Sequence, residues 1–144
     1  MRVMKLSHPD LPVDAILSDR VVAGRLDNRT VEFLATKGRE EVGLLIFDHW
    51  PSNNVGIIHE IYVLQAFRGR GVGTKLLAFA ERYALAHRCS SLQLTARSLD
   101  SDFMSNSNLH DWYGSHGFTG ADSEAPTMKK ALLTDPAIDS LSHT

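Results

Sequence analysis

The chain has 144 residues, a formal charge of −2, a single cysteine and no apolar run of membrane-span length. That length supports one domain with one sizeable core, the lone Cys89 excludes an internal disulfide and agrees with a reducing compartment, and the lack of any Lys/Arg run argues against a nucleic-acid partner. Met1 to Pro9 lacks the apolar core of a signal peptide, so a cytoplasmic location is expected, with no membrane partner.

In chain order, Asp10 to Ala23 reads as a short amphipathic helix. Pro12 falls in its first turn, Val13, Ile16, Leu17 and Val21 share a face, and Gly24 is the stop. Asp27-Asn28-Arg29 is turn chemistry, and Thr30 to Thr36 alternates as a strand with Val31, Phe33 and Ala35 on one side. A hairpin bend at Lys37 to Glu40 leads to Val42 to Phe47, whose near-continuous apolar character predicts a strand covered on both faces. After a turn at Pro51 to Asn54, Val55 to Leu64 is the next strand. The following helix reaches His87 and sets Leu76, Phe79, Ala80, Tyr83 and Ala84 along one stripe. Ser91 to Ala96 is a short strand, Arg97 to Ser105 is irregular and polar, and a helix runs through His116. Gly117-Phe118 opens another strand and Thr127 to Leu133 is the last. Thr134 to Thr144 reads as a frayed tail, which leaves residues 1–133 as the domain. Hairpins followed by strand, helix, strand, helix and strands predict a mixed α/β fold with one crossover helix.

The most informative stretch is Arg68-Gly69-Arg70-Gly71-Val72-Gly73-Thr74, lying between a β-rich run and a helical pattern. A helix N-terminus carries unpaired N–H groups and partial positive charge, so such a turn suits an anion, above all a phosphate. A P-loop needs Gly-Lys-Ser/Thr, whereas Gly73 precedes Thr74-Lys75. A dinucleotide fingerprint needs a glycine where Thr74 stands. Instead Arg68, Gly71 and Gly73 fit the Arg/Gln-x-x-Gly-x-Gly/Ala signature, and the segment resembles the acetyl-CoA-binding turn of the GNAT superfamily of N-acetyltransferases. A second stretch strengthens the resemblance. Asn106 precedes Tyr113 by seven residues and Gly117-Phe118 begins four after it, the spacing of the family's other motif, with Trp112 in place of a usual leucine. The two motifs and their strands cover Val42 to Leu133.

The resemblance implies a mostly antiparallel sheet with helices on both faces, whose two parallel central strands, Glu60 to Leu64 and Ser91 to Ala96, splay apart. It implies acetyl-CoA as co-substrate. Backbone groups of Ile61, Tyr62 and Val63 would hold the pantetheine arm, Arg68, Gly69, Arg70, Gly71, Val72, Gly73 and Thr74 the pyrophosphate, and Asn106 the arm again, with Asn108 as substitute if the helix starts later. It also implies an amine acceptor, either a small molecule or a protein amine, and permits a homodimer.

Acetyl transfer to an amine requires loss of an amine proton (pKa ~10) and protonation of a leaving thiolate (pKa roughly 8.5). By the resemblance Tyr113 is the acid, and a buried core tyrosine beside Trp112 is the other reading. Glu60 breaks an apolar strand, where burial raises a carboxyl pKa, and is the candidate base, acting directly or through water. Its alternative is an ion pair with an arginine such as Arg97. His59, by strand alternation, is expected on the opposite face as a core histidine. Cys89 reads as a packing residue, and the seven histidines show no zinc-ligand spacing, so no metal is assigned. The loop Ser98 to Ser105, with Asp100, Asp102, Phe103 and Met104, either shapes a pocket for a cationic amine or is exposed without consequence. A cofactor-binding module without turnover is the competing functional reading.

Overall fold

The computed structural model describes residues 1–25, 30–96, 105–122 and 125–132. The expectations for the 98–105 loop, apart from Ser105, for Arg97 and for the C-terminal tail lie outside these residues. The elements are β1 (Arg2–Lys5), α1 (Ala15–Gly24), β2 (Thr30–Lys37), β3 (Glu40–Trp50), β4 (Val55–Val63), a single 3-10 turn (Gln65–Phe67), α2 (Val72–Ala86), β5 (Ser91–Thr95), α3 (Asn106–Ser115), β6 (Thr119–Asp122) and β7 (Ala125–Ala131). None of the described helices is long and apolar enough to cross a membrane.

One seven-stranded sheet takes the order β1-β2-β3-β4-β5-β7-β6. Every pairing is antiparallel except β4 with β5, where α2 makes the crossover. The parallel pair is short: Val55 to Ile58 faces Ser91 to Leu94 and the register ends there, while β4 continues to Val63. The two central strands therefore part at their C-terminal ends, as the sequence resemblance implies.

Alternation sorts the core into two layers. Phe33, Ala35, Leu45, Phe47, Ile58, Leu92, Leu94 and Met128 pack with Leu76, Leu77, Ala80 and Ala84 of α2 and with Tyr113 of α3. Leu34, Leu44 and Ile46 pack on the other side against Leu17 and Val21 of α1. The apolar run in β3 is thus covered on both faces, as its composition predicts.

Three details depart from the sequence pattern. α1 starts at Ala15 because the Asp14 carboxylate caps the Leu17 N–H at 3.0 Å, and Glu41 across the fold accepts from the Val13 and Asp14 amides. Val13 and Ile16 are consequently exposed instead of facing the core. β1 is an additional edge strand, paired with β2, that a four-residue segment with Val3 as its one partly buried side chain does not announce. The third departure is in β4. Ile46 faces Glu60 but Phe47 faces Ile58, so His59 is an extra residue, a β-bulge. The bulge interrupts alternation, and His59 turns toward Asp48 on the α1 face, the face Glu60 shares through its register with Ile46. His59 is exposed, neither opposite to Glu60 nor in the core.

Candidate active site

The parting of β4 and β5 leaves residues 59–63 with no strand partner on the β5 side among the described residues. On the other side β3 holds them in register, with Leu45 facing Ile61, Leu44 facing Tyr62 and Gly43 facing Val63. The Ile61 to Val63 edge is therefore positioned to receive an extended ligand as an added strand. Arg68 fixes its end: Nε donates to the Val63 carbonyl at 2.9 Å, Nη2 to the Tyr62 hydroxyl at 3.3 Å, and the guanidinium lies over the Tyr62 ring. Arg68 thus braces the strand that precedes the turn. Arg70 lies against the Phe67 ring and is exposed.

The turn itself has the conformation an anion site needs. Gly69 and Gly71 adopt φ of +75° and +82°, a region that disfavours a side chain. Gly71 is the N-cap of α2 and supplies no capping side chain. Lys75 N is the first amide of the helix to bond back, to the Gly71 carbonyl at 3.1 Å. The amides of Val72, Gly73 and Thr74 belong to the orphan donors of the helix start. Gly73 has an ordinary φ, and the atoms nearest to a Cβ there, among the described residues, belong to Trp112 and Val63 at ordinary contact distance. That contact is informative because it brings the start of α2, the end of β4 and α3 together.

α3 starts at Asn106 behind Ser105, whose hydroxyl accepts the Asn108 N–H at 3.1 Å. Asn106 opens the helix at its predicted position, and its side chain lies outside the described part. Tyr113, on the inner side, is 6% exposed and packs edge-on against Trp112 and Phe118. Burial pushes its phenol above the usual tyrosine range, so it holds its proton at neutral pH. Cys89 is also buried and its thiol is pushed up by desolvation, which makes it a poor nucleophile and agrees with its reading as a packing residue.

Glu60 is 11% exposed and pairs with Arg20 of α1 at 3.2 Å. Desolvation raises its pKa, and the Arg20 charge offsets part of that rise. A carboxyl with a raised folded-state pKa binds its proton more tightly when folded, so the fold loses stability as pH climbs through that value. Glu60→Gln removes this loss. Its Tm is expected to match or exceed wild type at neutral pH, with the difference vanishing near pH ~3, below the unfolded glutamate pKa, where this carboxyl is protonated in both states. Melting curves at both pH values check this; a mutant less stable only at neutral pH would contradict it.

Gly43, which the sequence pattern does not single out, governs how closely these parts approach. A Cβ there would lie 2.9 Å from the Tyr62 carbonyl and 3.2 and 3.3 Å from the side chains of Leu76 and Val72. Gly43→Ala must therefore displace either the end of β4 or the first turn of α2. It is expected to cost about 1–3 kcal/mol, read as a lower Tm in thermal melts; a wild-type Tm would contradict this.

A parallel pair that splays beside a helix start with an open N-terminus is the arrangement that the sequence resemblance implies. Residues 4–118 match the family model described as Acetyltransferase (GNAT) family, and the chain belongs to that family. An N-acetyltransferase of Archaeoglobus fulgidus, described as uncharacterized, is 37% identical over 67 residues, covering 46% of this chain and 42% of the relative. Among solved structures, the Escherichia coli ribosomal-protein-S18-alanine N-acetyltransferase superposes with a TM-score of 0.67 at 17% identity, over 93% of this chain and 95% of that one. A GNAT acetyltransferase from Elizabethkingia anophelis with acetyl-CoA bound gives 0.64 at 15% identity, over 91% and 97%. An aminoglycoside 6'-N-acetyltransferase complexed with coenzyme A gives 0.67 at 12% identity, over 94% and 99%. At these identities the structures establish the shared fold.

Proposed function

We propose that this protein transfers the acetyl group of acetyl-CoA directly to a primary amine on a small molecule or a protein. The observation that carries the proposal is the convergence at Gly73: the uncapped start of α2, the open end of β4 and the Trp112-Tyr113 segment of α3 meet there. The Val72, Gly73 and Thr74 amides bind the pyrophosphate, with Arg70 near it, and the Ile61 to Val63 edge binds the pantetheine arm. The amine nitrogen attacks the thioester carbonyl carbon to form a tetrahedral intermediate. As the C–S bond breaks, the Tyr113 hydroxyl gives its proton to the departing sulfur. Glu60, working through a water molecule, takes a proton from the amine side. Acetyl-CoA and CoA complexes of proteins with this fold support the cofactor. The aminoglycoside and ribosomal-protein alanine acceptors named for two of these structures support the breadth of the acceptor class. The test is release of free CoA thiol from acetyl-CoA in the presence of an amine panel, run beside thermal protection by acetyl-CoA. Protection with thiol release supports an enzyme. Protection without release for any amine points to a binding module instead.

A further inference from the structure

Asp48 is 5% exposed, in a strand that is otherwise apolar from Val42 to Phe47. Burying a carboxylate is costly unless a partner compensates. Its partner is His59, whose Nε2 lies 2.9 Å from Oδ2 and whose side chain is 37% exposed, while Oδ1 is buried with no hydrogen-bond partner among the described residues. An ionised carboxylate can only accept, so the pair places hydrogen on Nε2 and leaves the lone pair on Nδ1. The bulge puts His59 immediately beside Glu60 on the α1 face, one residue past the point where β4 leaves β5. Other charged groups on this face are Glu60 with its partner Arg20, and Glu32 with Arg25.

Proton arithmetic calls for such a group. Making an amide from an ammonium removes two protons; one ends on the thiol and the other must reach solvent. Glu60 is mostly buried and already bonded to Arg20. We propose that His59, aligned by Asp48, is a second proton acceptor of this acetyl-transfer site and the exit to solvent; the proposal rests on the acetyltransferase reading above. The acceptor ammonium gives its first proton to His59 Nδ1, and Asp48 stabilises the resulting imidazolium. The neutral amine attacks the carbonyl carbon. The second nitrogen proton passes through water and Glu60 as the intermediate collapses, the C–S bond breaks with the Tyr113 proton moving to sulfur, and the second proton restores Tyr113. His59 then releases the first proton to bulk water. His59 is the more exposed of the two and can exchange its proton with bulk water, whereas Glu60 is enclosed beside Arg20. Asp48 acts as a positioning residue.

The experiment compares wild type, His59→Ala, His59→Gln and Asp48→Asn in thiol release between about pH 6 and 9, using an amine that wild type accepts. The His59 variants are expected to lose about 100-fold in kcat/KM for the amine, to keep acetyl-CoA protection in melts, and to lose the acid limb of the wild-type pH profile. Millimolar imidazole should restore His59→Ala at least tenfold. Asp48→Asn should fall between wild type and the His59 variants. Active wild type with His59 variants within about twofold overturns the proposal and leaves the acetyltransferase reading standing. So does a loss without imidazole rescue, with an unchanged pH profile, or with lost acetyl-CoA protection. Wild type that acetylates no amine overturns both.

Discussion

Tyr113→Phe is expected to lower kcat by about 10²–10³-fold while the affinity for acetyl-CoA stays within about twofold. The hydroxyl is the only group removed, and the ring keeps its contacts with Trp112 and Phe118. Because Tyr113 is buried and its phenol stays protonated, it can deliver a proton to a leaving thiolate without prior ionisation. Steady-state kinetics together with acetyl-CoA titration separates the two effects. Equal turnover by mutant and wild type would remove Tyr113 from the mechanism; a parallel loss of binding would make it a packing residue.

Thr74→Asp is expected to move stability and binding in opposite directions. Thr74 is exposed, in the first turn of α2. A carboxylate there complements the helix dipole and is expected to stabilise the unliganded fold by about 0.3–1 kcal/mol. The same charge opposes the pyrophosphate. At about 5 Å and an effective dielectric near 20, one pair of like charges costs roughly 3 kcal/mol, on the order of a hundredfold in affinity. The electrostatic loss exceeds the dipole gain, so the mutant should melt at or above wild type yet be poorly protected by acetyl-CoA. Thermal melts with and without the cofactor check both halves. A mutant that binds as well as wild type would place the pyrophosphate elsewhere.

The parts of this molecule legible from sequence are those encoded locally. The strand-turn-helix at Glu60 to His87, the apolar run of β3 and the Tyr113 helix are found where periodicity and glycine chemistry put them. What sequence did not reveal depends on partners distant along the chain. The bulge at His59 exists only in the register between β3 and β4, so alternation within β4 could not show that His59 and Glu60 share a face. Arg20 as the partner of Glu60 is 40 residues away. The late start of α1 depends on Glu41, which accepts the amides that precede the helix. Gly43 is constrained by the Tyr62 backbone and by α2, neither of which its neighbours in sequence disclose.

A crystal structure of the protein with coenzyme A tests the central claim most directly. The pyrophosphate oxygens are expected within about 3.2 Å of the Val72, Gly73 and Thr74 amides, with the pantetheine arm running along Ile61 to Val63. Coenzyme A bound elsewhere on the surface, or pyrophosphate making no contact with those amides, would contradict it.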